Sequence, residues 1–473
     1  MDITAVNPTK REYSKAYGGL EIVRMAPGDQ RVTLDYVFQD NKDGSDIRFN
    51  LSLRERMSGH VISTLQMEGQ ARSVCIEDLR NGVDYMVEIT ACSQRDGREI
   101  ARSPVRFFRT GFVPGTVINY IHPDDYTYEP SGRSPASPSL VRLPGGELLA
   151  SHDIYWGEEA QNLSKVFISR DEGKSWSYLS DVYPCFWGKL FVHRGVLYML
   201  GTSTEYGALL LFSSKDGGES WSSPIEILSG GSREKGGPHK APMPILESYG
   251  RLWTAIDYGS WSIGGHASGV ASVPVDVDLM DPMNWTVSPF LPYDSRWPGT
   301  IQGGSPGLLE GNVVMTPEGD LVNFLRYHTI HGSPDYGKAI YLYIDKDKPS
   351  APLRFGKVVD FPGSMSKFTI RFDPESRKYY ALVNRVTTAN VSQRNILTLI
   401  ASPDLENWEI RRDLINFQDI GWPEDDTKVG FQYVDWMFDG EDILAVSRTA
   451  INNAFNFHNA NHLTFHRFRN FRR

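Results

Sequence analysis

Polar side chains recur at the ends of strands that repeat along the chain, and these residues are the best placed to do chemistry. They are His152, Asp153, Asp257, Tyr258, Arg326, Asn384, Arg385 and Arg448. Equivalent positions converge where repeats stack around an axis, so these side chains are expected to ring a shared pocket. The arginines indicate its chemistry, because a planar guanidinium pairs with both oxygens of a carboxylate. The alternative is that each residue forms a local salt bridge on its own repeat.

Carboxylic acids at and near these positions supply groups for breaking a glycosidic bond. That reaction uses one protonated and one ionised carboxyl group, or a tyrosine nucleophile. The candidates for the pair are Glu310, Asp153, Asp257, Glu158 and Glu159. His152 is a candidate proton carrier, because imidazole titrates near neutral pH. His239 lies in the segment GGPHKAP, whose Gly/Pro-rich composition is typical of a ligand-binding loop.

The spacing of cysteines and histidines predicts no metal site. Cys75, Cys92 and Cys185 contain no C-x-x-C pair, and an odd number of cysteines excludes a disulfide framework. Buried thiols are favoured over a Cys75–Cys92 disulfide. The segment FHNANH (457–462) lacks HExxH spacing. Four further histidines are expected to be buried and hydrogen-bonded: His328, His331, His458 and His462. No cofactor is predicted.

The strands that carry the polar residues belong to six repeats, which predict a six-bladed β-propeller. Each repeat has a Gly-containing turn, an alternating strand and a polar strand end. The repeats are GGELLASHD (145–153), RGVLYMLGTS (194–203), YGRLWTAIDYG (249–259), EGDLVNFLRYH (318–328), SRKYYALVNR (376–385) and DGEDILAVSR (439–448). Repeats of about 40–60 residues bury no core alone and stack radially. Residues 112–473 are assigned to this domain.

The first part of the chain, residues 1–111, predicts a separate β-sandwich. Short alternating strands such as RVTLDYVF and YMVEITAC are separated by Gly- and Asp-containing turns. The segment from Leu79 to Ala91 resembles the tyrosine corner of fibronectin type III domains. That resemblance implies that Tyr85 bonds backbone at the sandwich corner while Val87 and Ile89 point inward, and that the domain is accessory. The predicted fold class is therefore all-β.

Two turns in the second domain share one pattern. SRDEGKSW (169–176) and SKDGGESW (214–221) fit S-x-D-x-G-x-x-W, and SPDLENW (402–408) is a degenerate copy. They resemble the Asp-box of sialidases and related propellers, in which Asp accepts turn amides, Gly allows positive φ and Trp packs between strands. The Asp-box lies on the propeller rim, so the resemblance implies structural roles for Asp171, Asp216, Trp176 and Trp221.

The similarity to sialidases extends over residues from about 135 to 470. Glu310 precedes Arg326 by sixteen residues across a turn. In sialidases such a Glu lies against the catalytic tyrosine, and the Arg is the second of three that hold the substrate carboxylate. The segment QRNILTLIASPDLENW resembles the one bearing the third, which implies that role for Arg394. In GFQYVDWMFDG (430–440), Phe431 aligns most simply with the catalytic tyrosine, and Tyr433 is two residues further along the same strand face.

The sequence also departs from the sialidase pattern. Ala136 stands where the Arg of the R-I-P motif is expected, and Arg133 lies three residues upstream. The acid/base Asp, expected a little beyond Asp153, is replaced by Glu158 and Glu159. The three-arginine clamp and the Tyr–Glu nucleophile are thus not both intact in the sequence.

Composition limits the partners. The 473 residues carry 49 basic and 58 acidic side chains, a net charge of −9, which disfavours nucleic acid and anionic membranes. No apolar run reaches the ~18 residues of a membrane span. Aromatic residues make up 12%, which suits a β-protein that stacks on sugars. The first residues lack the pattern of a signal peptide, so the protein is expected to be cytoplasmic, or secreted if a leader was removed.

Three functions fit these observations. The first is an exo-glycoside hydrolase that releases a terminal acidic sugar from an oligosaccharide or polysaccharide. In it Glu310, Asp153 and Tyr433 are catalytic, and Arg326 with Arg394 or Arg385 holds the carboxylate.

The second function is a lyase for uronate-containing glycans, since propellers resembling this one also host β-elimination. A carboxylate bound by Arg acidifies the neighbouring C–H, and His152, His239 and Tyr433 would move the proton. The third is a non-catalytic sugar-binding propeller with a decayed site. Arg448 and Asp257 are assigned to substrate binding together with His239.

Overall fold

The computed structural model describes residues 19–39, 46–68, 72–156, 160–300, 305–330, 336–419 and 426–473. Within these ranges the chain is all-β, as predicted. It contains no α-helix there, and the short 3₁₀ turns are Trp261–Ile263, Pro282–Asn284 and Asp426–Lys428. No helix among the described residues is long and apolar enough to cross a membrane. Glu158, Glu159 and His331 lie outside the described residues.

The first described strands form two antiparallel sheets around one core. The strands are β1 (Leu20–Gly28), β2 (Arg31–Phe38), β3 (Ile47–Glu55), β4 (Val61–Glu68), β5 (Ser73–Ile76), β6 (Asp84–Ser93), β7 (Glu99–Arg102) and β8 (Arg106–Arg109). One sheet has the order β1–β2–β5; the other has the order β4–β3–β6–β7, with β8 also on β6. Alternating side chains of both sheets, among them Tyr36, Phe49 and Phe108, are buried in a single hydrophobic cluster.

Tyr85 makes the predicted backbone contact. Its hydroxyl accepts from the Arg80 amide at 2.9 Å and lies 3.3 Å from the Arg80 carbonyl oxygen. Val87 and Ile89 are buried on the same face of β6. The three cysteines are free, and Cys75 is exposed rather than buried.

Six further antiparallel sheets follow among the described residues. Sheet 1 contains β10 (Ser134–Arg142), β11 (Leu148–Tyr155), β12 (Ser164–Ser169) and β13 (Ser177–Val182). Sheet 2 contains β14 (Phe186–His193), β15 (Val196–Thr202), β16 (Leu209–Ser214) and β17 (Ile225–Leu228). Sheet 3 contains β18 (Gly237–His239), β19 (Leu246–Ser248), β20 (Arg251–Ser260), β21 (Gly265–Pro274) and β22 (Thr286–Val287). Sheet 4 is β23 (Ser305–Met315), β24 (Leu321–Ile330), β25 (Lys338–Ile344) and β26 (Arg354–Asp360); sheet 5 is β27 (Thr369–Asp373), β28 (Lys378–Asn384), β29 (Ile396–Ser402) and β30 (Glu409–Asn416).

Sheet 6 joins the two ends of this region. It contains β31 (Gly430–Asp439), β32 (Asp442–Ala450) and β33 (His462–Phe468), and its fourth strand is β9 (Thr116–Tyr120), which precedes sheet 1 in the chain. Successive small meander sheets with such a closure are consistent with a β-propeller.

A β-bulge interrupts the first strand of four of these sheets. The residues at the bulges have positive φ and are Ser137 (51°) in β10, Trp187 (53°) in β14, Glu310 (57°) in β23 and Tyr433 (55°) in β31. Positive φ is uncommon for residues other than glycine. A bulge adds one residue and re-aims a side chain, so these four positions escape the simple alternation of their strands.

Buried polar contacts join the first two sheets to the later ones. Arg106 donates to Asp125 at 2.5 Å, and both side chains are 1% exposed. Arg24 donates to the Ile118 carbonyl at 2.6 Å and pairs with Asp35, which accepts from the Tyr178 amide at 2.9 Å. These buried polar groups find their hydrogen-bond partners across the junction, so the first two sheets pack directly against the later ones.

Candidate active site

Two of the bulges place Tyr433 and Glu310 beside Arg326. Nη1 of Arg326 donates to Oε2 of Glu310 at 2.7 Å and lies 3.4 Å from the Tyr433 hydroxyl. Glu310 and Arg326 are each 3% exposed. The arginine also donates to the Met365 carbonyl, which fixes its orientation. The structure therefore brings these three residues into contact.

Two more arginines lie against Tyr433. The guanidinium carbon of Arg394 is 5.7 Å from the centre of the tyrosine ring, and that of Arg448 is 5.3 Å away. Arg394 donates to the Gln432 side chain, and Arg448 donates to the carbonyl of His458. We call Arg326, Arg394 and Arg448 the arginine cluster. Its third member comes from β32 and not from the first repeat, where sialidases carry an Arg and this chain has Ala136.

The arginine cluster carries more positive charge than its neighbours neutralise. Nε of all three guanidiniums is buried without a hydrogen-bond partner among the described residues. Glu310 is the carboxylate paired with the cluster: burial raises its pKa, but the charge and hydrogen bond of Arg326 outweigh this and lower the pKa below the ordinary value. Burial lowers the pKa of Arg394 to about 10, and Arg326 and Arg448 add repulsion. An anionic ligand would relieve both costs.

Tyr433 is held in its neutral form. Burial and then the negative charge of Glu310 raise its pKa, and the three arginines oppose this only in part. A protonated phenol next to an ionised carboxylate is the arrangement in which the carboxylate can take the phenolic proton.

Aromatic and histidine rings line one side of the site in an unbroken row. Ring centres lie 4.4 Å apart for Trp187–His239, 4.3 Å for His239–His266, 5.1 Å for Trp261–His266 and 5.4 Å for Trp261–His328. His328 contacts Arg326 through Nδ1 at 2.8 Å, which connects the row to the arginine cluster. We call His239, His266 and His328 the histidine wall. Burial lowers the pKa of His266 to about 2, with further lowering by His239 and Arg326.

Asp153 anchors the neighbouring sheet. It accepts from the Trp187 amide at 2.6 Å, from the Gly188 amide at 3.4 Å and from the Ser164 hydroxyl. It is 1% exposed, and burial raises its pKa to about 7 against the lowering effect of these bonds. The predicted catalytic carboxyl is thus occupied in holding the bulge of sheet 2.

Asp257 and Asn384 make the equivalent contacts in later sheets. Asp257 accepts from the Glu310 amide at 2.8 Å, and Asn384 donates to the Phe431 carbonyl at 2.8 Å. Burial raises the pKa of Asp257 above its ordinary value, and the charge of His239 offsets only part of this rise. Of the strand-end residues, Arg326 and Arg448 thus meet at Tyr433, whereas Asp153, Asp257 and Asn384 bind the backbone of the next sheet.

Two predicted site residues do not join this group. His152 precedes Asp153, so strand alternation turns it to the opposite face, where it stacks on Phe167 at 5.5 Å and contacts Asn119. Its pKa is lowered to about 4 by burial. Arg385 pairs with Asp413 of the outer strand β30 at 2.6 Å and is 30% exposed.

Sequence reasoning missed the ring residues around the site. Trp187, Trp261 and His266 lie in segments where no repeat pattern or resemblance singles them out. The ring of Tyr155 is 5.0 Å from the Arg448 guanidinium carbon. Of these ring residues, Tyr155 alone could have been found from the sequence, because it lies just beyond the predicted strand end at Asp153. The guanidinium of Arg133 contacts the rings of Tyr126 and Trp156 and pairs with Glu129. Across the described ranges, no group of His, Cys, Asp and Glu side chains is arranged to hold a metal ion.

Comparison with solved structures identifies proteins with a similar fold. An α-L-arabinanase from Penicillium chrysogenum, complexed with arabinobiose, aligns with a TM-score of 0.50 and 17% identity over 76% of this chain and 98% of that one. A leech intramolecular trans-sialidase gives 0.45 and 9% over 98% and 93% of the two chains, and a Streptococcus pneumoniae sialidase gives 0.47 and 10% over 96% and 93%. No family model and no curated protein matches the sequence. The likeness to the arabinanase shows a shared fold.

Proposed function

We propose that the protein is a sialidase-like exo-glycoside hydrolase that releases a terminal acidic sugar from an oligosaccharide or polysaccharide. Sheets 1–6 would be the six blades of its propeller, and the two sheets of residues 19–109 an accessory fibronectin type III-like sandwich. The observation that carries the proposal is the arginine cluster around Tyr433, buried with Glu310 as its paired carboxylate.

A sugar carboxylate is the ligand that this charge distribution favours. Each arginine keeps donors that the described residues leave unused, and a carboxylate accepts two parallel bonds from a guanidinium. Truncating one partner of a buried, hydrogen-bonded charge pair typically costs about 2–5 kcal/mol of binding. A neutral sugar would leave the buried positive charge unbalanced, so the cluster also discriminates against it.

Tyr433 and Glu310 supply the nucleophile. The phenolic oxygen would attack the anomeric carbon while Glu310 takes its proton, which the contact of both groups with Arg326 supports. A neutral phenol attacks an anionic sugar without the repulsion that a carboxylate nucleophile would meet beside the substrate carboxylate.

The two alternatives have less support. The lyase alternative names His152, His239 and Tyr433 as proton carriers, and one of the three, His152, is buried against Phe167 on the opposite strand face. A non-catalytic binding module would hold the sugar with the arginine cluster and the aromatic rings. It would not require a tyrosine beside an ionised glutamate.

The test is the product mass from a panel of α-sialosides, glucuronides and arabinosides. We expect a free acidic sugar with the added mass of water from one acidic class, and no product from the arabinosides. Tyr433→Phe should lower turnover by about 10³-fold or more. Release of arabinose alone, or an unsaturated product lacking water, would contradict the proposal.

A further inference from the structure

His239 and Asp257 form a buried acid–base pair within the site. They lie opposite each other on neighbouring strands β18 and β20, and Nδ1 of the histidine is 3.7 Å from Oδ2 of the aspartate. Their side chains are 6% and 2% exposed. A carboxylate behind one nitrogen orients an imidazole and stabilises its charged form.

The pair is tied to the catalytic groups proposed above. The same oxygen of Asp257 accepts from the Glu310 amide at 2.8 Å, and the charge of His239 lowers the pKa of Glu310. Glu310 in turn contacts Arg326 beside Tyr433. His239 comes from sheet 3, whereas the arginine cluster comes from sheets 4, 5 and 6, so the histidine stands outside the cluster.

The histidine ring is fixed, and one of its nitrogens is unused. Trp187 packs on it at 4.4 Å and His266 at 4.3 Å between ring centres. Nδ1 lies 3.7 Å from Oδ2 of Asp257, an ion-pair distance without a hydrogen bond, and Nε2 is likewise not hydrogen-bonded to any residue that the structure describes. A ring held on its sides, with a carboxylate at ion-pair distance from Nδ1, can serve as a general acid through Nε2.

The other carboxyl groups described at the site have assigned partners. Asp153 accepts from two backbone amides and a serine hydroxyl, and Glu310 is paired with Arg326. We infer that His239, oriented by Asp257, is the catalytic residue that protonates the departing glycosidic oxygen. This inference rests on the proposed hydrolase function and assigns the proton donor that it requires.

The proton balance closes over two steps. In the first, the Tyr433 oxygen bonds to the anomeric carbon, its proton passes to Glu310, and the proton on Nε2 of His239 passes to the leaving oxygen as the glycosidic bond breaks. In the second, water attacks the anomeric carbon, His239 takes its proton, and the phenolic oxygen leaves and recovers a proton from Glu310.

Leaving-group dependence distinguishes a proton donor from a structural histidine. The probes are the 4-nitrophenyl and methyl glycosides of N-acetylneuraminic acid and of glucuronic acid. Nitrophenolate departs without a proton, whereas methoxide does not. His239→Gln should therefore lower kcat/KM on the methyl glycoside by about 10²–10⁴-fold and on the nitrophenyl glycoside by less than about 10-fold.

His266→Gln is the matched control, because His266 packs on the same ring but has no carboxylate partner; it should affect both glycosides by the same factor. If His239→Gln does not fold, as judged by circular dichroism, His239→Asn replaces it. Equal losses on both leaving groups would overturn the role of His239 and leave the hydrolase standing. Failure of the wild type to hydrolyse any of the four glycosides would overturn both.

Discussion

At the residue scale, the position of Tyr433 is the informative case. Counting along the strand aligns Phe431 with the sialidase tyrosine, yet Phe431 is fully buried and Tyr433 faces the arginine cluster. The bulge between Gln432 and Asp435 gives Tyr433 a φ of 55° and re-aims its side chain. The orientation of Tyr433 therefore depends on a β-bulge, and the residue types in the sequence do not reveal where that bulge lies.

Arg448→Met tests whether the arginine cluster binds the substrate carboxylate. Removing one buried guanidinium should raise KM for the acidic glycoside by at least about 10-fold, with a smaller change in kcat, because the lost interaction exists in the ground state. Steady-state kinetics on purified protein measure this. Arg385→Met is the control: it removes an arginine bonded to Asp413 on an outer strand and should leave KM unchanged. Equal effects of both variants would refute the assignment.

Asp153 predicts a pH dependence of stability. Its folded pKa of about 7 lies above the ordinary 3.8, so the folded state keeps a proton that the unfolded chain loses. The resulting stabilisation is fully present below pH 3.8 and is lost as the pH rises through about 7. Asp153→Asn stays neutral, so its free energy of unfolding should rise relative to wild type between pH 4.5 and 8, by about 3 kcal/mol.

Urea titrations at several pH values check this expectation. Asp171→Asn is the control: burial raises the pKa of Asp171, but bonds from Ser175 outweigh it and hold the pKa below the ordinary value. Its difference from wild type should stay constant over the same range. A constant difference for Asp153→Asn would show that Asp153 is ionised throughout.

At the element scale, β-bulges in the first strands set the direction of the side chains that form the candidate site. Four first strands carry a residue with positive φ, and two of those residues, Glu310 and Tyr433, are the proposed base and nucleophile. Asp153 and Asp257 bind the backbone amides of Trp187 and Glu310, which stabilises two of the bulges from the preceding sheet. Sheets 1 and 3 thus hold the bulged first strand of the sheet that follows each of them.

Ser137 allows the cost of a bulge to be measured. Its φ of 51° disfavours β-branched side chains, so Ser137→Val should be less stable than Ser137→Ala by about 1–3 kcal/mol. Both variants lose the hydroxyl, so their difference isolates the backbone effect. At Thr64, in regular register on β3 and exposed in β4, the comparison of valine with alanine should favour valine, and both variants again lose the hydroxyl. Chemical denaturation measures both pairs; the same sign at both positions would contradict the explanation.

At the scale of the whole molecule, the junction between the first two sheets and the later ones is built from buried ion pairs. Arg106 and Asp125 are both 1% exposed, and Arg24 spans from β1 to the Ile118 carbonyl. Such contacts leave an unpaired buried charge if one partner is removed.

Asp125→Ala should therefore destabilise the protein by about 3–5 kcal/mol, because Arg106 stays buried without its partner. The exposed pair Arg95–Asp46 supplies the control: Asp46→Ala should cost less than about 1 kcal/mol. Calorimetry gives both values, and the Asp125→Ala transition should also broaden or split as the two parts uncouple. A single transition at the wild-type temperature would contradict the structural role of this pair.

The amino-acid sequence by itself determined the all-β class, the contact of Tyr85 with backbone and most of the residues proposed here as catalytic. Those features depend on local patterns: alternation within a strand, turn chemistry, and residue types at a fixed spacing. Glu310 and Arg326 flank one turn, so their pairing could be predicted from sixteen residues of chain.

Only the tertiary structure decided which of those side chains meet. His152 packs on Phe167 while Asp153 binds the Trp187 amide of sheet 2, and β32 supplies Arg448 where the first repeat has Ala136. His239 gains its partner Asp257 by cross-strand pairing between β18 and β20. Bulges and packing between sheets set these contacts, and both depend on residues far apart in the chain, which is why local pattern could not reveal them.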